Sequence, residues 1–194
     1  MQLKYLIIHC TATPEGRNVT ADEIRQWHIG PSDRSGGLVM YKGKIIYKNN
    51  LPNEEIGGVS VKTLRGRGWS RVGYSDLIML DGSLINLTPF DQNDEVDYNE
   101  MTWGVQGLNG VSRHIVYAGG CDKKMQPKDT RTLAQRNTLK TYVEYTVLRH
   151  PDIKIAGHNN FAAKACPSFV VSEWLEQISI KEKNIFRNDP DNTI

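Results

Sequence analysis

The sequence predicts an α/β protein: one domain with a mixed central β-sheet flanked by α-helices, interrupted by a hairpin and loop insertion near residues 31–68. Three observations carry this expectation. A continuous apolar run, KYLIIH, lies near the start and reads as a strand buried on both faces. The segment VGYSDLIMLDGSLINL, 72–87, has two β-prone runs around Asp81-Gly82, a hairpin signal. A long helical stretch, 130–149, stands between two further strand-like runs, SRHIVYAGG and DIKIAGH.

Taken in chain order, the first strand ends at His9 and a polar loop, TATPEGRNVT, follows. Thr20 then offers a helix cap with Glu23 three residues later, the spacing at which each side chain reaches the other's backbone N–H. Ile24, Trp27 and His28 give the helix over 21–28 one face. GPSDRSGG breaks the chain, and LVMYKGKIIYK reads as a short hairpin about Lys42-Gly43. The segment 31–68 has short strands and much glycine and charge, so it is expected either to wall a cleft or to cover a sheet edge. Residues 88–111 are polar, with Trp103 expected inside. The stretch 130–149 carries Leu133, Leu139, Tyr142, Val143, Tyr145, Thr146 and Val147 as its apolar stripe, and Pro151 stops it. DIKIAGH is a strand ending at His158, and Ser168 or Ser172 is placed to start a last helix with Val171, Trp174, Leu175 and Ile178. Residues 1–180 are thus read as the domain, and 181–194 as a polar tail expected to fray.

Composition narrows the function. The 194 residues are 39% hydrophobic, enough for a core, and the net charge is only +2 with acids and bases mixed, which speaks against nucleic acid as a partner. Three cysteines, Cys10, Cys121 and Cys166, do not make a disulfide framework in a chain of this length; Cys10 and Cys121 read as buried thiols. The N-terminal apolar run is too short for a signal peptide and no run reaches the length of a membrane span. The expectation is a chain made in the cytoplasm that does not insert in membranes, and that would need another route out if it acts outside the membrane.

The chemistry is concentrated in AGHNNFAAKACPSF, 156–169, and in the end of the first strand. Ligands of open α/β sheets gather at the carboxyl ends of strands. Two strands end on a histidine, His9 and His158; if they lie side by side and parallel, the imidazoles converge. Cys166, eight residues beyond His158, can fold back to join them. Two imidazoles and a thiolate suit Zn2+, and three protein ligands leave a fourth position open, the pattern of a catalytic site. Hydrolysis of a carbonyl compound there builds negative charge on oxygen, which Lys164 or the hydroxyl of Tyr74 could stabilise. Each residue also has an ordinary structural reading. His9 could be a hydrogen-bonded core histidine, Cys166 a small buried hydrophobe, Lys164 a solvated loop residue and Tyr74 a half-buried strand aromatic. Only their joint arrangement points to chemistry.

The motifs IIHCTATPEGR, a helix ending in WH, GYSDLIMLDG, SRHIVYAGG and AGHNNFAAKACPSF together resemble the zinc-dependent N-acetylmuramoyl-L-alanine amidases, the family of phage-lysozyme-type amidases and peptidoglycan recognition proteins. The resemblance covers residues 3–178 apart from 31–68, and its most specific part is the histidine, lysine and cysteine of the last motif followed by proline. It implies that His9, His158 and Cys166 bind Zn2+ and that Tyr74 and Lys164 are the catalytic helpers. It further implies hydrolysis of the amide between the lactyl group of N-acetylmuramic acid and L-alanine in peptidoglycan or muropeptides. The branch that recycles wall fragments usually has aspartate as third ligand and glutamate on the strand matching SRHIVY; Cys166 and Val116 stand there, so the chain looks more like the wall-lysing branch. Many relatives have a small residue where His114 stands, which makes it either a cleft residue or a satisfied strand histidine. His28 is read as lining the substrate groove or as a helix C-terminal histidine favoured by the dipole, and His150 as solvated. The competing readings are a peptidoglycan-binding module without catalysis, whose known forms lack the cysteine, and a cytosolic muropeptide-recycling amidase.

Overall fold

Tyr5–Cys10 form β1, the strand announced by the apolar run, with five of its six residues buried. The computed structural model describes residues 1–29, 39–41, 44–46, 55–56, 59–60, 67–91 and 93–188. These divide into two compact units, one of Met1–Asn18 with Tyr74–Ile194 and one of Val19–Gly73. After β1 comes the short β2, Thr13–Pro14.

The Val19–Gly73 unit begins with α1, Ala21–His28, and the expected capping box is present. Glu23 donates its backbone N–H to the Thr20 hydroxyl at 3.2 Å, and Thr20 donates its own to the Glu23 carboxylate at 2.9 Å, so two orphan N–H groups of the first turn are satisfied. The expected hairpin is found as β3, Val39–Tyr41, paired antiparallel with β4, Lys44–Ile46. A second pair follows, β5, Glu55–Ile56, with β6, Val59–Ser60. The rest of the 31–68 segment up to residue 66 lies outside the described residues.

The larger unit continues with β7, Asp76–Ile78, and β8, Leu84–Asn86, the hairpin about Asp81-Gly82. Then come β9, Ser112–Tyr117, and β10, Gly120–Cys121. The long helix α2, Leu133–Arg149, leads to β11, Lys154–Gly157, and α3, Val171–Gln177, closes the fold. The main sheet has the order β11-β1-β9-β7-β8. All neighbours are parallel except β7 and β8, so the sheet is mixed, as the sequence predicts. Successive side chains of a strand point to opposite faces. Leu6, Ile8 and Cys10 therefore join Ile115, Tyr117, Ile78 and Ile155 in one core cluster with Leu139 and Val143 of α2 and Trp174 and Leu175 of α3. The alternate residues His9 and His114 belong to the other face.

Several local expectations are corrected. The buried side of α2 carries Gln135, Leu139, Val143 and Thr146, while Leu133 is 75% exposed and Tyr145 49%. Leu133 and Tyr145 each sit two residues from a member of that stripe, about 200° around the helix, so they cannot share its face. Gln135 lies inside because its carboxamide donates to the carbonyls of Ala118 at 2.9 Å and Ile78 at 3.3 Å, tying the helix start to β7 and the end of β9. The last helix starts after Val170, without a side-chain cap, instead of at Ser168 or Ser172. Residues 184–186 are held against the sheet instead of fraying. Phe186 donates its N–H to the Ile155 carbonyl at 2.9 Å, and Asn184 donates to those of Pro151 and Ile153, because β11 is an edge strand with backbone groups to satisfy. Trp103 is 39% exposed, not inside. His150 is buried, with Nδ1 2.6 Å from an Asp94 carboxylate oxygen, not solvated.

Candidate metal centre

β1 and β11 are adjacent and parallel, with Ile8 opposite Gly157. The next residue of each chain is a histidine, so the two imidazoles leave the same edge of the sheet and their ring centroids lie 4.7 Å apart. Beyond His158 the chain makes a 3-10 turn, His158–Asn160, and returns. Asn159 donates its N–H to the Cys166 carbonyl at 2.8 Å, which closes the loop. Cys10 donates its N–H to Cys166 Sγ at 3.3 Å, and that sulfur stands 3.8 Å from Nδ1 of His9. The return is close-packed at Gly157, where a Cβ would lie 2.4 Å from Asn159 Oδ1, 2.9 Å from Val171 Cγ2 and 3.0 Å from Pro167 Cδ. From the core side, the Tyr117 hydroxyl donates to the Pro167 carbonyl at 2.7 Å. Among the described residues, His9, His158 and Cys166 form a group whose donor atoms all lie within 4.8 Å of one another, close enough to hold one metal ion.

The electrostatics suit ligation by neutral imidazole. Burial, and then the Lys164 charge, lower the His158 pKa to about 4. Burial, and then His158, lower that of His114 to about 3. The Cys166 thiol is pushed up, first by its hydrogen bond with the Cys10 thiol and then by burial. A dication among the donors reverses that balance, since a coordinating thiol is deprotonated outright.

The other expected residues are placed as follows. Tyr74 stands two residues ahead of β7 instead of on it, half-buried, with its ring 5.1 Å from that of His9. Lys164 is exposed, on the returning loop. Cys10 and Cys121 are buried free thiols, as expected. His28, in the Val19–Gly73 unit, is buried. It accepts the Gly73 N–H at Nδ1, 3.0 Å away, and packs on Trp69 at 4.8 Å, while burial and then the Arg67 charge lower its pKa to about 4. His114 does not line a cleft: it is wholly buried, with Nδ1 3.0 Å from Nε2 of His9. Sequence reasoning missed this pairing, and it missed Gly104, where a Cβ would lie 2.3 Å from His114 Nδ1. The glycine of AGH at 157 was a readable signal for the tight return; nothing local links Gly104 to a ring on another strand.

No family model matches the chain. The endolysin of Escherichia phage T7 is 26% identical over 174 residues, 89% of this chain and 85% of that protein. Among solved structures, the N-acetylmuramoyl-L-alanine amidase LysC from Clostridium intestinale superposes with a TM-score of 0.58 at 17% identity, covering 93% of this chain and 88% of that one. The chain has the fold of the N-acetylmuramoyl-L-alanine amidases and peptidoglycan recognition proteins. Bumblebee PGRP-SA shares it, with a TM-score of 0.57 at 18% identity over 97% of this chain and 87% of that one. In this amidase fold the donor cluster sits where β1 and β11 end, the position expected for a ligand site in an α/β sheet. Among the described residues no helix is long and apolar enough to cross a membrane.

Proposed function

We propose that this protein is a zinc-dependent N-acetylmuramoyl-L-alanine amidase that lyses bacterial cell wall. It hydrolyses the amide between the lactyl group of N-acetylmuramic acid and the L-alanine of the stem peptide. The observation that carries the reading is the convergence of His9, His158 and Cys166 within 4.8 Å at the ends of two parallel strands. Support comes from the endolysin relative and from the Clostridium intestinale amidase that shares the fold.

The donor set fits zinc: two neutral imidazoles and one thiolate are borderline-soft ligands, and three of them leave room for a fourth partner. Zinc bound there supplies a Lewis acid and lowers the pKa of a water ligand to about 7. The protein's own part is position and charge. His9 is held by β1, His158 by β11, and Cys166 by the loop hydrogen bond and the Cys10 N–H. Tyr74, beside His9, donates its hydroxyl proton toward the oxygen of the tetrahedral intermediate. Lys164 places its cation on the same charge, and either side chain relays the proton given up by the attacking water to the L-alanine amine as its C–N bond breaks. Residues 1–180 carry this activity, with 31–68 as an insertion, and the protein reaches the wall after release from the cytoplasm.

The test is digestion of purified peptidoglycan with zinc-loaded protein, products read by mass spectrometry, beside a chelated control. Free stem peptides beginning with L-alanine, appearing only with metal, are the expected result. Wall that is bound but uncut by zinc-loaded protein overturns the amidase reading in favour of a recognition module.

A further inference from the structure

We propose that His114 is a positioning residue for the metal centre: its Nδ1 accepts the Nε2–H of His9 and so holds His9 in the tautomer whose Nδ1 lone pair faces Cys166. The inference rests on the zinc reading above and deepens it. His9 and His114 lie on neighbouring strands, β1 and β9, and on the same face of the sheet. His9 presents Nδ1 to Cys166 Sγ at 3.8 Å and Nε2 to His114 Nδ1 at 3.0 Å. A neutral imidazole carries one proton. If His114 donated from Nδ1, the His9 proton would sit on Nδ1, pointing into the donor cluster and blocking ligation there. With His9 as donor, its Nδ1 carries the lone pair that ligation needs, and a ligating histidine commonly gives its other N–H to such a partner.

The surroundings of His114 indicate that the ring is kept for this contact. It is wholly buried, and Nε2 has no hydrogen-bond partner among the described residues. In the ligating arrangement that nitrogen carries a buried, unpaired proton, a cost that an apolar side chain of similar size would avoid. Gly104 leaves room for the ring, since a Cβ there would lie 2.3 Å from His114 Nδ1 and 2.5 Å from its Cγ. His114 therefore offers one used polar atom, and that atom faces a metal-ligand candidate.

The experiment compares His114→Leu, His114→Gln and wild type for zinc affinity, by chelator competition, and for thermal stability without metal. In parallel, the zinc-loaded wild type is tested by NMR for scalar coupling across the His9–His114 hydrogen bond. His114→Leu is expected to bind zinc about 10–100-fold more weakly, the usual cost of losing an outer partner, without losing metal-free stability. His114→Gln, whose amide oxygen can accept the same proton, is expected to recover most of that affinity. The coupled proton is expected on His9 Nε2. Gly104→Ala, which displaces the ring, is expected to weaken zinc as His114→Leu does and to add little to it, and it serves as the test if His114→Leu does not fold. If wild type takes up zinc and these variants bind it as tightly, or the coupled proton is on His114 Nδ1, the His114 inference is overturned while the amidase reading stands. If wild type takes up no zinc, the metal reading itself falls and takes this inference with it.

Discussion

Cys166 Sγ lies 3.8 Å from Nδ1 of His9, although the two are 157 positions apart in the chain. Neither strand pairing nor helix packing joins them directly. The contact is made by a loop that leaves the end of β11, turns over Gly157 and is pinned by the N–H groups of Cys10 and Asn159.

Removing a donor should remove metal and activity together. Cys166→Ala and His158→Ala are each expected to weaken zinc by more than the ~10–100-fold that a supporting residue costs, and to abolish wall lysis. Metal analysis and turbidity loss on the same samples check this. Full lysis by Cys166→Ala sinks the mechanism.

Lys164 separates metal binding from rate. It is exposed, so Lys164→Ala is expected to leave stability within about 0.5 kcal/mol. Zinc should remain bound while the rate drops, by up to ~10²–10³-fold if the cation stabilises the intermediate. Equal falls in kcat and kcat/KM on a soluble muropeptide mark a contact made only in the transition state. An unchanged rate removes Lys164 from the catalytic group.

Gly157 is expected to be intolerant of a methyl group. Gly157→Ala brings a carbon 2.4 Å from Asn159 Oδ1, which can turn aside, and 2.9 Å from Val171 Cγ2 and 3.0 Å from Pro167 Cδ, which press the returning loop outward. The expected cost is about 1–3 kcal/mol of stability, with weaker zinc binding because Cys166 moves with the loop. Urea unfolding and chelator competition measure the two effects. Unaltered zinc affinity would show that the loop relaxes without displacing the thiol.

His28 makes stability depend on acid. Its pKa falls from 6.5 to about 4 in the folded protein, through burial first and the Arg67 charge second. The unfolded chain therefore binds more protons between those values. The stability this represents is complete above pH 6.5 and is lost as pH drops through about 4. The slope from this one group is at most about 1.4 kcal/mol per pH unit. His28→Gln, which can still accept the Gly73 N–H, should flatten the decline of stability across that window. Parallel declines in the two proteins would rule out His28 as the source.

Local signals were legible because they act over three or four residues. Thr20 and Glu23 announced the start of α1, and Asp81-Gly82 announced the β7–β8 turn. Each is a short-range hydrogen bond or backbone preference that the residues carry with them. Gln135 was not legible, since an amide inside a helix face is explained only by the carbonyls of Ile78 and Ala118 that await it. Nor was the ordered segment about Ile185, which depends on the open edge of β11.

The sequence by itself held the candidate donors: two histidines at strand ends and a cysteine eight residues beyond the second, a set whose chemistry suits a transition-metal ion such as zinc. It could state their convergence only as a condition, that the two strands be parallel neighbours. The tertiary structure met that condition by placing β1 between β11 and β9. The same placement put His158 on one side of His9 and His114 on the other. Strand order is decided by which apolar faces bury one another across the whole chain, a non-local energy that no short stretch of residues records.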